Sequence, residues 1–121
     1  MNKNELWMIY GTDYKEMAKQ LLEAADLAGR IPSADSRIGL KPNLVSPSEA
    51  SWGATTHPEI VAGTIEYLRE HGFQDLVILE GSWVGDKTRD AFEVCGYDRL
   101  VREYGVKFID TQKDGFHRKD C

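Results

Sequence analysis

Residues 39–58 read GLKPNLVSPSEASWGATTHP. The stretch leaves an apolar run at Ile38-Gly39-Leu40, turns at Lys41-Pro42-Asn43, crosses a polar loop and begins a helix at Thr55-Thr56-His57-Pro58. Pro42 has no N–H for a ladder, so a strand entering it ends there. Thr56 and Glu59 have the spacing of a capping box, with Thr56 as N-cap. Pro58 falls in the first turn, where N–H groups lack intrahelical partners. A strand, a polar loop and a helix in this order form the first two-thirds of a strand–helix–strand unit, and they set the fold class.

Beyond that helix start, Ile60, Val61, Thr64, Ile65 and Leu68 recur at helical spacing, and Gly72 is the expected glycine past the helix end. Leu76–Leu79, LVIL, reads as a buried strand leading into Glu80-Gly81-Ser82. A shorter helix follows over Arg89 to Cys95 and stops at Gly96. A further turn or two with Leu100 and Val101 reaches Gly105, and Val106–Ile109 reads as another strand. On the other side, Glu5–Tyr10, ELWMIY, also reads as a buried strand. Asp13 and Glu16 then make a helix start, and Tyr14, Met17, Ala18, Leu21, Ala25 and Ala28 give its apolar stripe, ending near Gly29. Pro32 holds Arg30–Ser36 in a loop.

Strands alternating with helices predict a single α/β domain over residues 1–121. The expected architecture is three-layer α/β/α, Rossmann-like, with a mainly parallel sheet of about four strands. No G-x-G-x-x-G follows any strand, so there is no dinucleotide fingerprint, and no P-loop, G-x-S-x-G or H-E-x-x-H is present. Right-handed crossovers gather Gly11-Thr12-Asp13, Lys41-Pro42-Asn43 and Glu80-Gly81-Ser82 at the carboxyl ends of the strands, where open α/β sheets bind ligands.

The 121 residues are 41% hydrophobic and 29% charged, as expected of a globular chain that buries about two-thirds of its surface. A net charge of −5 argues against nucleic acid as a partner. No apolar run reaches the 18 or so residues of a membrane span, and MNKNELWMIY lacks a signal-peptide core; a cytoplasmic location is the expectation. Cys95, beside Phe92 and Val94, reads as a small buried apolar residue, and with Cys121 it makes no metal-binding spacing. A chain ending on HRKDC, with no closing element, reads as cut short.

The candidate site centres on Lys41. A lysine beside a helix N-terminus makes an anion site suited to a carboxylate or phosphate; the alternative is an ion pair with Glu80. Asn43 fits loop fixing through its side chain, Thr56 fits capping, and Thr55 is free to face the cavity. His57 is placed as general base or metal ligand, or as a local hydrogen-bond donor. His71 suits a helix C-terminus, and His117 lies in the polar tail. Lys41 and His57 are thus the catalytic candidates, and Lys41, Asn43, Thr55, Thr56, Glu80, Gly81 and Ser82 the ligand-binding ones. Glu80 and Asp110 end two strands and are placed to flank a common site. Trp52 and Trp83 fall in polar loops, as a lid or as surface for a missing part of the protein. No metal site is complete in the chain.

Asp13-Tyr14, IGLKPNLV at 38–45, GATTHPEIV at 53–61, REHGF at 69–73, EGSW at 80–83 and AFEVCGY at 91–97 together resemble the bacterial and archaeal family called domain of unknown function 362. The resemblance covers most of the chain. It implies a domain longer than this chain, with no established general reaction. It also implies, for many members, a ferredoxin-like segment whose clustered cysteines bind iron–sulfur clusters. This chain has no such cysteine cluster, so a cluster would lie in a segment outside it, making the protein part of a redox or electron-transfer system. Two expectations from different classes follow: a domain binding a small anionic ligand, whether or not it is an enzyme, or an iron–sulfur-linked redox partner. Four parallel strands with three helices also predict an exposed apolar face or edge, covered by a second copy or by the remainder of a longer protein.

Overall fold

Leu76–Leu79 forms the centre of the molecule. The computed structural model describes residues 4–115, in which seven regular elements run in the order α1 (Tyr14–Ala24), β1 (Ile38–Leu40), α2 (Pro58–Glu70), β2 (Leu76–Glu80), α3 (Thr88–Val94), α4 (Tyr97–Tyr104) and β3 (Lys107–Asp110). Single 3-10 turns sit at Ala28–Arg30 and Ala50–Trp52. The three strands are parallel and ordered β1-β2-β3, with Leu40 beside Ile78 and Glu80 beside Asp110. The α/β class and the parallel sheet are as the residue pattern requires.

Alternate strand residues share one face. Ile38, Leu40, Leu76, Ile78 and Phe108 all pack into one cluster with Ile65, Leu68, Tyr97 and Leu100 of the helices. Each fully buried side chain of this kind contributes about 2 kcal/mol. Consecutive strand order with right-handed crossovers carries α2 and the α3–α4 pair over the same face. The helices also touch one another, α1 along α2 and α2 against α4.

The sheet has three strands where about four were expected. Glu5–Tyr10 is as apolar as its sequence suggests, yet it joins no strand, and Leu6, Met8 and Tyr10 are 81%, 65% and 83% exposed. A strand exists only through a neighbour that accepts and donates along its edge, and apolarity alone does not supply one. The first helix also ends earlier than its stripe. Asp26 takes the left-handed conformation at φ 49°, so Ala28 falls in a separate turn.

Asp13 caps α1 as its pattern requires, accepting the N–H of Glu16. Glu16 does not complete a capping box but instead accepts a bond from Gln20 Nε2. At α2 the cap falls one residue later than the Thr56 spacing predicts. His57 is the N-cap and Pro58 the first helical residue, with no side-chain capping bond. Gly96 and Gly105 bracket α4 in left-handed conformations, φ 78° and 61°, which explains why both breaks carry glycine. Glu66 of α2 binds three neighbours: Lys15 at 3.0 Å, Lys19 at 3.8 Å and the Tyr104 hydroxyl at 2.6 Å. His71, at the end of α2, bonds the Tyr67 carbonyl and faces Glu23. His117 and Cys121 lie outside the described residues. Among the described residues no helix is long and apolar enough to cross a membrane.

Candidate functional site

Pro42 ends β1 and is itself buried, which turns the chain so that Lys41 leaves the carboxyl end of the sheet. Lys41 Nζ lies 2.5 Å from Glu80 Oε2, at the end of the neighbouring strand. The pair is asymmetric: the Glu80 side chain is 6% exposed and that of Lys41 62%. The second Glu80 oxygen accepts the N–H of Gly81. Of the two readings of Lys41, the ion pair is the one present, and it leaves the ammonium at the surface with two of its three donors unspent.

Lys41 and Thr56 line one cleft of about 260 Å³, floored by Gly39, Leu40, Pro42, Ile60, Val61 and Thr64. Thr56 is brought there by a two-way clasp with Asn43. The Thr56 hydroxyl accepts the Asn43 N–H at 2.9 Å, and the Asn43 carbonyl accepts the Thr56 N–H at 2.9 Å. Asn43 also donates its side-chain amide to the Ala54 carbonyl. The buried Tyr97 hydroxyl donates to the Thr56 carbonyl at 3.0 Å, and burial pushes its ionisation upward. Thr56 is therefore held from both sides, and it serves the cleft wall rather than the helix cap.

The other named residues go elsewhere. Thr55 is buried and donates to the Ser48 carbonyl at 3.0 Å, which also accepts the Cys95 thiol at 3.2 Å. The Ser82 hydroxyl donates to the Leu44 carbonyl at 2.7 Å, and its backbone N–H donates to the Thr88 hydroxyl. A Cβ on Gly81 would stand 2.5 Å from Thr111 Oγ1, so that hydroxyl would have to shift. His57 is stacked on Tyr14, ring centres 4.2 Å apart, and does not line the Lys41 cleft. Glu80 and Asp110 are register partners, but Asp110 faces Lys113 at 3.8 Å while Glu80 holds Lys41, so they belong to separate pairs. Trp52 and Trp83 are exposed.

The residue that sequence reasoning missed is Gln112. Its amide donates to the carbonyls of Ser82 and Asp86 and accepts the N–H of Thr88, tying the β2 and β3 exits together. No local pattern marks a glutamine for that task. Larger clefts, of about 460 and 540 Å³, lie beside α4, but most of their charged groups are already engaged: Lys15 with Glu66, Arg89 with Glu93 and Arg102 with Asp98. Size favours them. The unspent donors and the place at the strand ends favour the Lys41 cleft. Among the described residues no group of three or more His, Cys, Asp or Glu side chains stands ready to hold a metal ion.

Residues 38–121, more than half of the chain, match the family model described as Domain of unknown function (DUF362). The matched part begins at β1 and includes Lys41, Thr56 and Glu80. No curated protein and no solved structure matches the chain.

Proposed function

Because the chain belongs to the DUF362 family, whose name carries no reaction, we propose its function from geometry: it binds a small carboxylate or phosphate compound in the Lys41–Thr56 cleft. The observation that supports this reading is Lys41 itself, a half-free ammonium anchored by a buried carboxylate on the wall of a cleft at the strand ends. Glu80 takes one donor and fixes the direction of the side chain, and two donors remain for an anion. The Thr56 hydroxyl accepts from Asn43 and keeps its own proton to give. The uncapped start of α2 adds a favourable dipole, since His57 makes no side-chain cap bond. Glu80 competes with the ligand for the same ammonium, so affinity for a simple anion is modest and selectivity comes from the cleft walls. No step of this reading runs through a metal or an iron–sulfur cluster, for which the described residues offer no ligand set.

The test is titration of the ¹⁵N-labelled chain with inorganic phosphate and, separately, with acetate and oxalate. Saturable shifts at the amides of Lys41, Asn43, Thr56 and Glu59, lost in Lys41→Met, are the expected result. Shifts that never saturate, or that survive Lys41→Met unchanged, overturn the proposal.

A further inference from the structure

We infer that the ligand of the Lys41–Thr56 cleft is a monocarboxylate with a branched aliphatic body and an adjacent amide, the chemistry of an N-acylated leucine-like amino acid. The inference rests on the reading of this cleft as an anion site and names the class of anion. Lys41 is the one charged side chain among the residues that line it. The far end holds Thr64, whose hydroxyl donates to the Ile60 carbonyl at 2.9 Å, and no cation to receive a second acid group. Glu80 sits on the same ammonium and repels any anion brought to it, a dianion twice as strongly as a carboxylate. Charge therefore selects one carboxylate over phosphate or a dicarboxylate.

The walls select the rest of the molecule. Leu40, Ile60 and Val61 make an apolar surface beside the ammonium, and Ile60 is 38% exposed, so it is open to a ligand. A volume of about 260 Å³ is below the roughly 300–1,000 Å³ of drug-sized pockets, so the body is about that of one amino-acid residue. Gly39 supplies the third feature. A Cβ there would stand 2.7 Å from Leu79 Cδ2, and Leu79 is outside the cleft, so Gly39 lines it with backbone alone. The Ile38 N–H donates to the Asp75 carbonyl and thus points at β2. The next N–H, that of Gly39, points the opposite way, to the edge of β1 that no strand of the described residues pairs. A purely aliphatic ligand would cover this donor and leave it unpaired, at a cost that an amide carbonyl avoids.

Titration of the ¹⁵N-labelled full chain with acetate, isocaproate, N-acetylleucine and inorganic phosphate tests this. Affinity is expected to rise about tenfold from acetate to isocaproate, which adds the branched chain, and about fivefold more to N-acetylleucine. Phosphate is expected to bind more weakly than isocaproate, and the Gly39 amide to shift strongly only with N-acetylleucine. Ile60→Ala should weaken isocaproate and N-acetylleucine about threefold and leave acetate unchanged. Isocaproate no tighter than acetate, N-acetylleucine no tighter than isocaproate, or phosphate the tightest of the four would each overturn the inference while the anion site stands. Saturable binding by none of the four overturns that site as well. Acetyl-Gly-Gly-Leu separates two sources of the same chemistry, both of which uphold the inference: a further tenfold gain identifies a peptide C-terminus, and equal affinity the free acylated amino acid.

Discussion

Lys41 and Glu80, at the carboxyl ends of adjacent strands, form an ion pair with its carboxylate inside the protein and its ammonium at the surface. Removing the lysine leaves Glu80 with one backbone donor, the Gly81 N–H. A buried charge robbed of its partner is costly, whereas loss of both charges is mild. Lys41→Ala is expected to cost about 2 kcal/mol in urea denaturation, and Lys41→Ala/Glu80→Gln to recover most of it. Glu80→Gln alone frees the ammonium, so it should tighten phosphate binding while Lys41→Met abolishes it. Equal stability of Lys41→Ala and wild type would show that the pair does not hold the strand ends.

Glu66 governs the acid response of the helical layer. The Tyr104 hydroxyl bond is the largest influence and holds its carboxyl below the usual glutamate range; burial opposes it, and Lys15 and Lys19 add to the lowering. A folded value lower than the unfolded one gives stability that is complete above the unfolded value and disappears as pH falls through the folded value. Glu66→Gln is expected to be about 1 kcal/mol less stable than wild type at pH 7. The two melting temperatures should converge as pH drops below about 4. A gap that stays constant down to the acid limit would assign the loss to packing instead of charge.

Ile38–Leu40, Leu76–Leu79 and α2 were legible because their signals are local: an apolar run, a proline stop, a helical stripe, a glycine end. The Lys41–Glu80 pair was legible too, since parallel neighbours bring adjacent strand ends together. What escaped depends on partners distant in sequence. The Thr56 hydroxyl oxygen accepts the N–H of Asn43, 13 residues back, and the cap falls on His57. The His57 ring is taken by Tyr14 of another helix, and Gln112 reaches back to Ser82 and Asp86. Glu5–Tyr10 shows the limit most plainly. Its apolarity is written in the residues, but the edge it needs is not.

Gly63 marks the close approach of α1 and α2. A Cβ there would stand 2.3 Å from the Lys15 carbonyl oxygen and 3.1 Å from Ala18 Cβ. Alanine in a helix interior gains about 1 kcal/mol over glycine, but backbone cannot rotate away as a side-chain tip can, and overpacking costs about 1–3 kcal/mol. Gly63→Ala is therefore expected to be destabilising by about 1 kcal/mol, with faster proteolysis near α1. A stabilised Gly63→Ala would mean that α1 yields freely, and that it is held to α2 loosely.

Tyr97 joins the core to the candidate cleft. It is fully buried, and its hydroxyl donates to the Thr56 carbonyl on the first residue before the α2 cap. Phenylalanine keeps the ring contact with Phe92 and deletes only the donor, leaving the carbonyl without it. A buried acceptor left without its donor costs about 1–3 kcal/mol, so Tyr97→Phe is expected to lose about 1–2 kcal/mol in denaturation. The effect should also be felt in the cleft, because Thr56 is held between Tyr97 and Asn43. Amide exchange at Asn43 and Thr56 should therefore rise more than exchange in β2. If stability falls but the Asn43–Thr56 clasp stays as protected as β2, the loss is confined to the core, and the cleft wall stands on the Asn43 bonds alone.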